Sequence, residues 1–154
     1  MRRARRYKPT LKPRSPRRHQ GQVGRMKEGS AATASASAIL QELLTPDNRV
    51  ALNRLMKALR MSKADIAETI GVARETLQRA ARADAPKTQT RLREMLEIVN
   101  RVSGWAGGQM QAMAWYRSEP IPAFGGRTAE SLVKEGKAAA VRDYLDGVAL
   151  GGFA

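Results

Sequence analysis

The stretch Ser62-Lys-Ala-Asp-Ile-Ala-Glu-Thr-Ile-Gly-Val-Ala-Arg-Glu-Thr-Leu-Gln-Arg-Ala-Ala-Arg82 decides how this chain is read. Ser62, with Asp65 three residues later, has the spacing of a capping box, which opens a helix by satisfying its first N–H groups. That helix runs through Ile70, and Gly71 stops it, because glycine enters the left-handed conformation at little cost. A further helix is expected from about Arg74 to Ala83, before Asp84-Ala85-Pro86 breaks the chain. Two short helices joined this tightly need a small residue in the first, Ala67, and a glycine at the turn, Gly71. They also need apolar residues where they touch, and Ile66, Ile70, Val72, Leu77 and Ala80 are spaced to face inward.

This is the pattern of a DNA-binding helix-turn-helix. Arg74, Glu75, Gln78, Arg79 and Arg82 fall on the outer side of the second helix, where base edges or phosphates would lie. Arginine bonds guanine bidentately and glutamine bonds adenine, so such a face reads sequence. Ser62 and Lys63, at the start of the first helix, are placed for phosphate contact. An ordinary helical hairpin with Ala and Gly at its contact is the alternative, in which the same charges are simply solvated. A single recognition helix binds weakly, so two copies on a symmetric homodimer are expected.

Outward from this segment the pattern stays helical, with no alternating strand. Ile39, Leu40, Leu43 and Leu44 form a short apolar stripe. Thr45-Pro46-Asp47 reads as a helix start, with a hydroxyl cap, proline in the first turn and an acid beside it. Leu52, Leu55, Met56 and Leu59 continue at amphipathic spacing, and Leu92, Met95, Leu96, Val99 and Val102 mark a long helix. Next, a helix carrying Met110, Met113 and Trp115 runs into Pro120 and Pro122, followed by Phe124-Gly125-Gly126. Thr128 caps a short helix that holds Leu132 and ends at Gly136. Val141, Tyr144, Leu145 and Val148 give the last amphipathic spacing, with the helix reaching Asp146 before a tail of Leu150, Gly151, Gly152, Phe153 and Ala154. The fold class is all-α, with about eight helices. Core packing is the plain reading of Trp105, Met110, Met113 and Trp115, and an adaptable partner surface is the sharper one.

Charge divides the chain further. Lys and Arg total 28 against 14 Asp and Glu in 154 residues, a formal net charge of +14. Residues 1–30 hold 11 of those basic side chains against Glu28 alone, with Pro9, Pro13 and Pro16 and few apolar residues. Such a segment buries too little surface to offset the entropy of ordering, so residues 1–37 read as a disordered basic arm and linker. Met26, followed by Lys27, offers an alternative start that would omit most of it. Residues 38–102 then form the helix-turn-helix domain, and residues 103–154 a small helical C-terminal domain.

The charge surplus points to a polyanion as partner. The chain has no cysteine, and its one histidine, His19, lies in the arm, which leaves little for metal ligation or histidine-based catalysis. No serine stands in a nucleophile-elbow context. The glycines at 104, 107 and 108, and at 125 and 126, lack the phosphate-loop frame. Asp143 and Asp146 read as solvated helix acids. We expect no enzyme, no cofactor and no metal. No apolar run is long enough to span a bilayer. No apolar segment after the first arginines resembles a signal peptide, so a cytoplasmic location with no membrane partner is expected.

The Ser62–Arg82 segment resembles the Xre, Cro/repressor-like, helix-turn-helix class. The C-terminal third looks like the toxin-binding domain of the Xre/MbcA/ParS antitoxins, on Trp115, Pro120, the Gly125-Gly126 pair, Thr128, Leu132, Val141, Leu145 and the glycine-aromatic tail. It departs from that pattern at Thr128-Ala129, where Thr-Pro is common, and at Asp146-Gly147, where Arg-Ile is common. The basic arm has no counterpart there. The resemblance implies a type II antitoxin that neutralises a RES-domain, NAD⁺-degrading toxin and regulates its own operon by binding operator DNA. It implies toxin contact through Trp115, Phe124, Gly125, Gly126 and the tail from Leu150 through Gly151, Gly152 and Phe153 to Ala154. The C-terminal domain could also dimerise. Two alternatives remain: a stand-alone dimeric repressor with no toxin, and an RNA-associated protein led by the arm.

Overall fold

A computed structural model describes residues 38–151, and the arm and the last three residues lie outside it. The described chain is all-α. Helix α1 covers residues 38–42 as far as it is described. It is followed by α2 (Leu52–Leu59), α3 (Lys63–Ile70), α4 (Arg74–Gln78), α5 (Ala80–Ala83), α6 (Pro86–Ala106), α7 (Gln109–Ser118), a 3-10 turn (Pro122–Phe124), α8 (Ala129–Lys134) and α9 (Ala138–Ala149). In place of strands there are two isolated antiparallel bridges, Leu44 with Val50 and Ile121 with Arg127.

The first bridge corrects the helix start expected at Thr45-Pro46-Asp47. The Asn48 N–H bonds the Thr45 carbonyl, and the Thr45 N–H bonds the Arg49 carbonyl at 2.8 Å. Asn48 takes φ 60°, so these residues form a turn closed by a left-handed asparagine rather than a helix cap. The Thr45 hydroxyl is used within this loop, accepting from the Arg49 N–H at 3.1 Å. Helix α2 begins only at Leu52, after Val50 has been buried.

The next two elements follow the expectation closely. Ser62 and Asp65 form the capping box, each side chain bonding the other's backbone N–H at 3.1 Å. At the far end of α3, Gly71 has φ 74°. Its N–H bonds the Glu68 carbonyl while the Val72 N–H bonds that of Ala67, the paired closure of a Schellman motif. Ile66, Ala67, Ile70 and Leu77 are buried.

The single helix expected over Arg74 to Ala83 is instead two. Arg79 adopts φ −105° and ψ 120°, an extended residue between α4 and α5. The segment contains no breaker, so the cause lies in tertiary packing. Leu77 and Ala83 are both buried, and on one unbroken helix residues six apart would stand about 120° from each other. Extending Arg79 turns both toward the core. Ala80, expected inward, is left exposed, and Ala83 takes its place.

Helix α6 is the spine. Leu92, Met95, Leu96, Ile98, Val99 and Val102 are buried along it, and α3, α5, α7, α8 and α9 pack against it. Its buried Gln89 ties the N-terminal elements down. The amide oxygen accepts from the Val50 N–H at 2.7 Å, and the amide nitrogen donates to the Ala83 carbonyl at 3.0 Å. Helix α6 runs unbroken through residue 102. In the last helix, Gly147 is helical and α9 extends to Ala149, three residues past the Asp146 expected.

Candidate functional site

The two halves of the molecule treat their cations differently. From Arg91 onward every lysine and arginine among the described residues is engaged. Glu130 holds Lys134 at 2.6 Å and Arg117 at 3.3 Å. Glu135 holds Arg127 and, at 3.3 Å, Lys137. Arg142 pairs with Glu97 at 2.8 Å, Arg101 with Asp146, and Arg91 with Glu94 at 3.9 Å. Arg93 donates to the Asn48 carbonyl.

Among residues 52–90 the pattern reverses for every cation but Arg54, which donates to the Glu42 and Leu44 carbonyls. Lys57, Arg60, Lys63, Arg74, Arg79, Arg82 and Lys87 make no side-chain ion pair or hydrogen bond within the described residues. Four of these, Lys63, Arg74, Arg79 and Arg82, are among the residues expected from the sequence to meet DNA. Their side chains are exposed, except that Lys63 is half-buried, and Glu75 and Gln78 are exposed beside them. Ser62 differs. Its hydroxyl donates to the Asp65 carboxylate at 2.6 Å and accepts the Asp65 N–H, so its polar groups are already engaged. Those Ser62 bonds, with Arg117 and Arg74 nearby, hold the Asp65 carboxyl below its usual range. An anion arriving at the start of α3 would therefore meet a carboxylate.

Sequence reasoning missed Lys57, Arg60 and Lys87. The recurrence of Lys57, Arg60 and Lys63 at intervals of three was the available signal. Arg60 stands out further because it caps α2 at φ 53°, where a side chain is strained.

The C-terminal half carries the other exposed chemistry. Glu97 with Arg142, and Arg101 with Asp146, show that α6 and α9 run parallel in register. One more turn along each brings Trp105 and Leu150 to the same end. Trp105 is 57% exposed and Leu150 88%, and Met110 and Val148 are exposed as well. Large apolar side chains left in water mark partner surfaces. Core packing holds for Met113, which is buried, and Trp115 is partly buried against the core. Trp105 and Met110 project. The two tryptophans meet edge to face at 5.8 Å. Phe124 is likewise partly buried, edge-on to Tyr144 at 5.9 Å, with Gly125 and Gly126 exposed beyond it. Gly151 is exposed, whereas Gly152, Phe153 and Ala154 lie outside the described residues.

One close contact between the halves is at Gly71. A Cβ on Gly71 would lie 2.8 Å from Cγ of Lys134 in α8. Glu130, the partner of that lysine, also holds Arg117, whose charge reaches Asp65. Tyr116 is fully buried among these elements, and its hydroxyl has no partner within the described residues. Burial, with the Glu130 and Glu94 charges, pushes its ionisation far up.

The described residues thus form an all-α chain with a set of cations free of ion pairs over residues 52–90 and an exposed apolar end. Residues 96–151 match the family model of the antitoxin Xre/MbcA/ParS C-terminal toxin-binding domain. The match runs from within α6 to the last described residue, takes in the whole apolar end, and supports an antitoxin of the Xre/MbcA/ParS type. No curated protein and no solved structure matches the chain. No helix of the described residues is long and apolar enough to cross a membrane.

Proposed function

We propose that this chain is an antitoxin that captures a toxin through its C-terminal region and binds the DNA of its own operon through α3–α5. The match at residues 96–151 carries this reading. Trp105, Met110, Val148 and Leu150 add to it, since they offer apolar area that a partner would cover. The toxin expected is a RES-domain protein that degrades NAD⁺, bound at Trp115, Phe124, Gly125, Gly126 and the tail from Leu150 to Ala154. The antitoxin acts by binding, with no catalysis or cofactor of its own, in the cytoplasm and as a homodimer. Residues 38–102 serve the DNA and residues 103–154 the toxin, with α6 shared between them.

The DNA half draws on the free cations. Arg74, Arg79 and Arg82 with Gln78 form the contact set, Lys63 adds phosphate contact, and Ser62 and Glu75 shape its edge. A stand-alone dimeric repressor is the second reading, favoured by the same cations and needing no toxin.

The test is affinity capture of the tagged chain from its native cells, followed by expression of any captured small protein on its own. A near-stoichiometric partner that depletes NAD⁺ and stops growth, silenced by co-expression of this chain, is the expected result. Deleting residues 150–154 should weaken that silencing. Recovery of only DNA and further copies of this chain would favour the repressor.

A further inference from the structure

One cleft on the cationic half gathers polar groups that have no partner. It lies between α2 and the α4–α5 break, and Asn53, Lys63 and Gln78 line it. None of these three side chains bonds within the described residues. The other polar groups at the rim are already occupied. Arg54 donates to the Glu42 and Leu44 carbonyls at 3.0 and 3.3 Å, and Asp84 faces Arg49 at 3.5 Å. What remains free is two amides and an ammonium, a set rich in donors and carrying net positive charge.

The walls matter as much as the donors. Leu77 and Ala80 line the same cleft, so an anion seated there would lose part of its water on one side and feel the ammonium more strongly. Ala80 reaches this wall because Arg79 is extended, which turns Ala80 out of the core. The break that lets Leu77 and Ala83 share the core therefore also leaves a small residue at the mouth, where a larger one would fill the space.

We propose that this cleft seats a DNA backbone phosphate, gripped by Asn53, Lys63 and Gln78. The proposal rests on the DNA reading above and moves Gln78 from base reading to backbone grip. Base edges present acceptors and donors in patterns, whereas a phosphate presents acceptors alone. Asn53 thereby becomes a positioning residue on α2, outside the α3–α5 segment that reads sequence. A phosphate fixed there would set the depth and register at which Arg74 and its neighbours enter the groove.

The test measures binding of the full chain to two short duplexes, one from the region upstream of its gene and one shuffled to the same composition. Replacing Asn53 or Gln78 with Ala should weaken binding to both duplexes alike, by about 3- to 10-fold. Lys63→Ala should do the same and lower the salt dependence by about one counterion. Ala80→Leu, which fills the mouth, should mimic the loss of donors. A single uncharged methylphosphonate linkage at the seated position should erase the difference between wild type and Asn53→Ala. Loss confined to the upstream duplex in Gln78→Ala would return that residue to base reading and overturn the proposal. So would wild-type affinity in both Asn53→Ala and Ala80→Leu. A wild-type chain that binds neither duplex at low salt would instead remove the DNA reading itself, and this cleft with it.

Discussion

The segment from α2 to α5 and the segment from α6 to α9 are both helical and both supply cations, yet they present opposite surfaces. In the second, each Lys or Arg from Arg91 onward is matched by an acid or a carbonyl, often from a distant part of the chain. In the first, six cations stand without a partner within the described residues, and Lys87 at the start of α6 joins them. A count of charges along the sequence does not capture this, because paired charges cancel locally while unpaired ones add to a field a polyanion can feel. The exposed apolar side chains divide the other way. Trp105, Met110, Val148 and Leu150 all belong to the second segment. On the proposed function, two kinds of partner are served by two regions that share α6, and the contrast can be broken at the places where they join.

Gln89 is the deepest of those joins. It reaches from α6 to the backbone of Val50 and Ala83, and all of these groups are buried. Gln89→Leu leaves a buried N–H and a carbonyl unmatched, each costing about 1–3 kcal/mol, so a loss of about 3 kcal/mol is expected in denaturant unfolding. Because Ala83 anchors α5, the α3–α5 segment should loosen before the C-terminal half does. Hydrogen exchange resolved by segment would show it, and uniform loosening would mean that the two regions unfold as one.

The second join is Gly71 against Lys134. Gly71→Ala forces a side chain into φ 74° and places its Cβ 2.8 Å from the lysine Cγ. Left-handed strain of about 1–2 kcal/mol is expected, with a further contribution from the clash. Combining it with Lys134→Ala removes the 2.8 Å contact while the 3.2 Å approach to Cβ and the strain stay, so the double variant should be more stable than the sum of the two single losses. Additive losses would mean that α8 simply moves aside and that this contact carries no coupling between the regions.

These joins also explain what could be read in advance. The capping box at Ser62, the stop at Gly71 and the Thr128 cap depend on residues within a few positions, and the structure has each as expected. The apolar spacing of α6 was equally plain. The turn at Thr45 and the break at Arg79 were not legible, because both follow from burying Val50, Leu77 and Ala83 against α6. Gln89, which fixes two of those backbones, is 39 residues from Val50. The free cations were half legible. Arg74, Arg79 and Arg82 follow from helix phase, whereas the neutrality of the C-terminal half depends on pairs such as Arg142 with Glu97, 45 residues apart. No local pattern announces such a pair, and without the pairs the contrast between the two surfaces cannot be seen.

Arg60 sharpens the comparison with the smallest effect, and does so through two readouts that move apart. The helix that ends at Gly71 closes on glycine, but α2 closes on an arginine at φ 53°. The Met61 N–H bonds the Met56 carbonyl at 3.1 Å, as Val72 bonds Ala67, while the Arg60 N–H also bonds Met56. Arg60→Gly relieves the strain and should stabilise the fold by about 1 kcal/mol. The same change removes one of the seven free cations, so retention on an immobilised polyanion such as heparin should fall, with a shallower dependence on salt. A residue kept only for the fold would show the gain in stability with unchanged retention. If both stability and retention fall, the Arg60 side chain packs where the structure leaves it free.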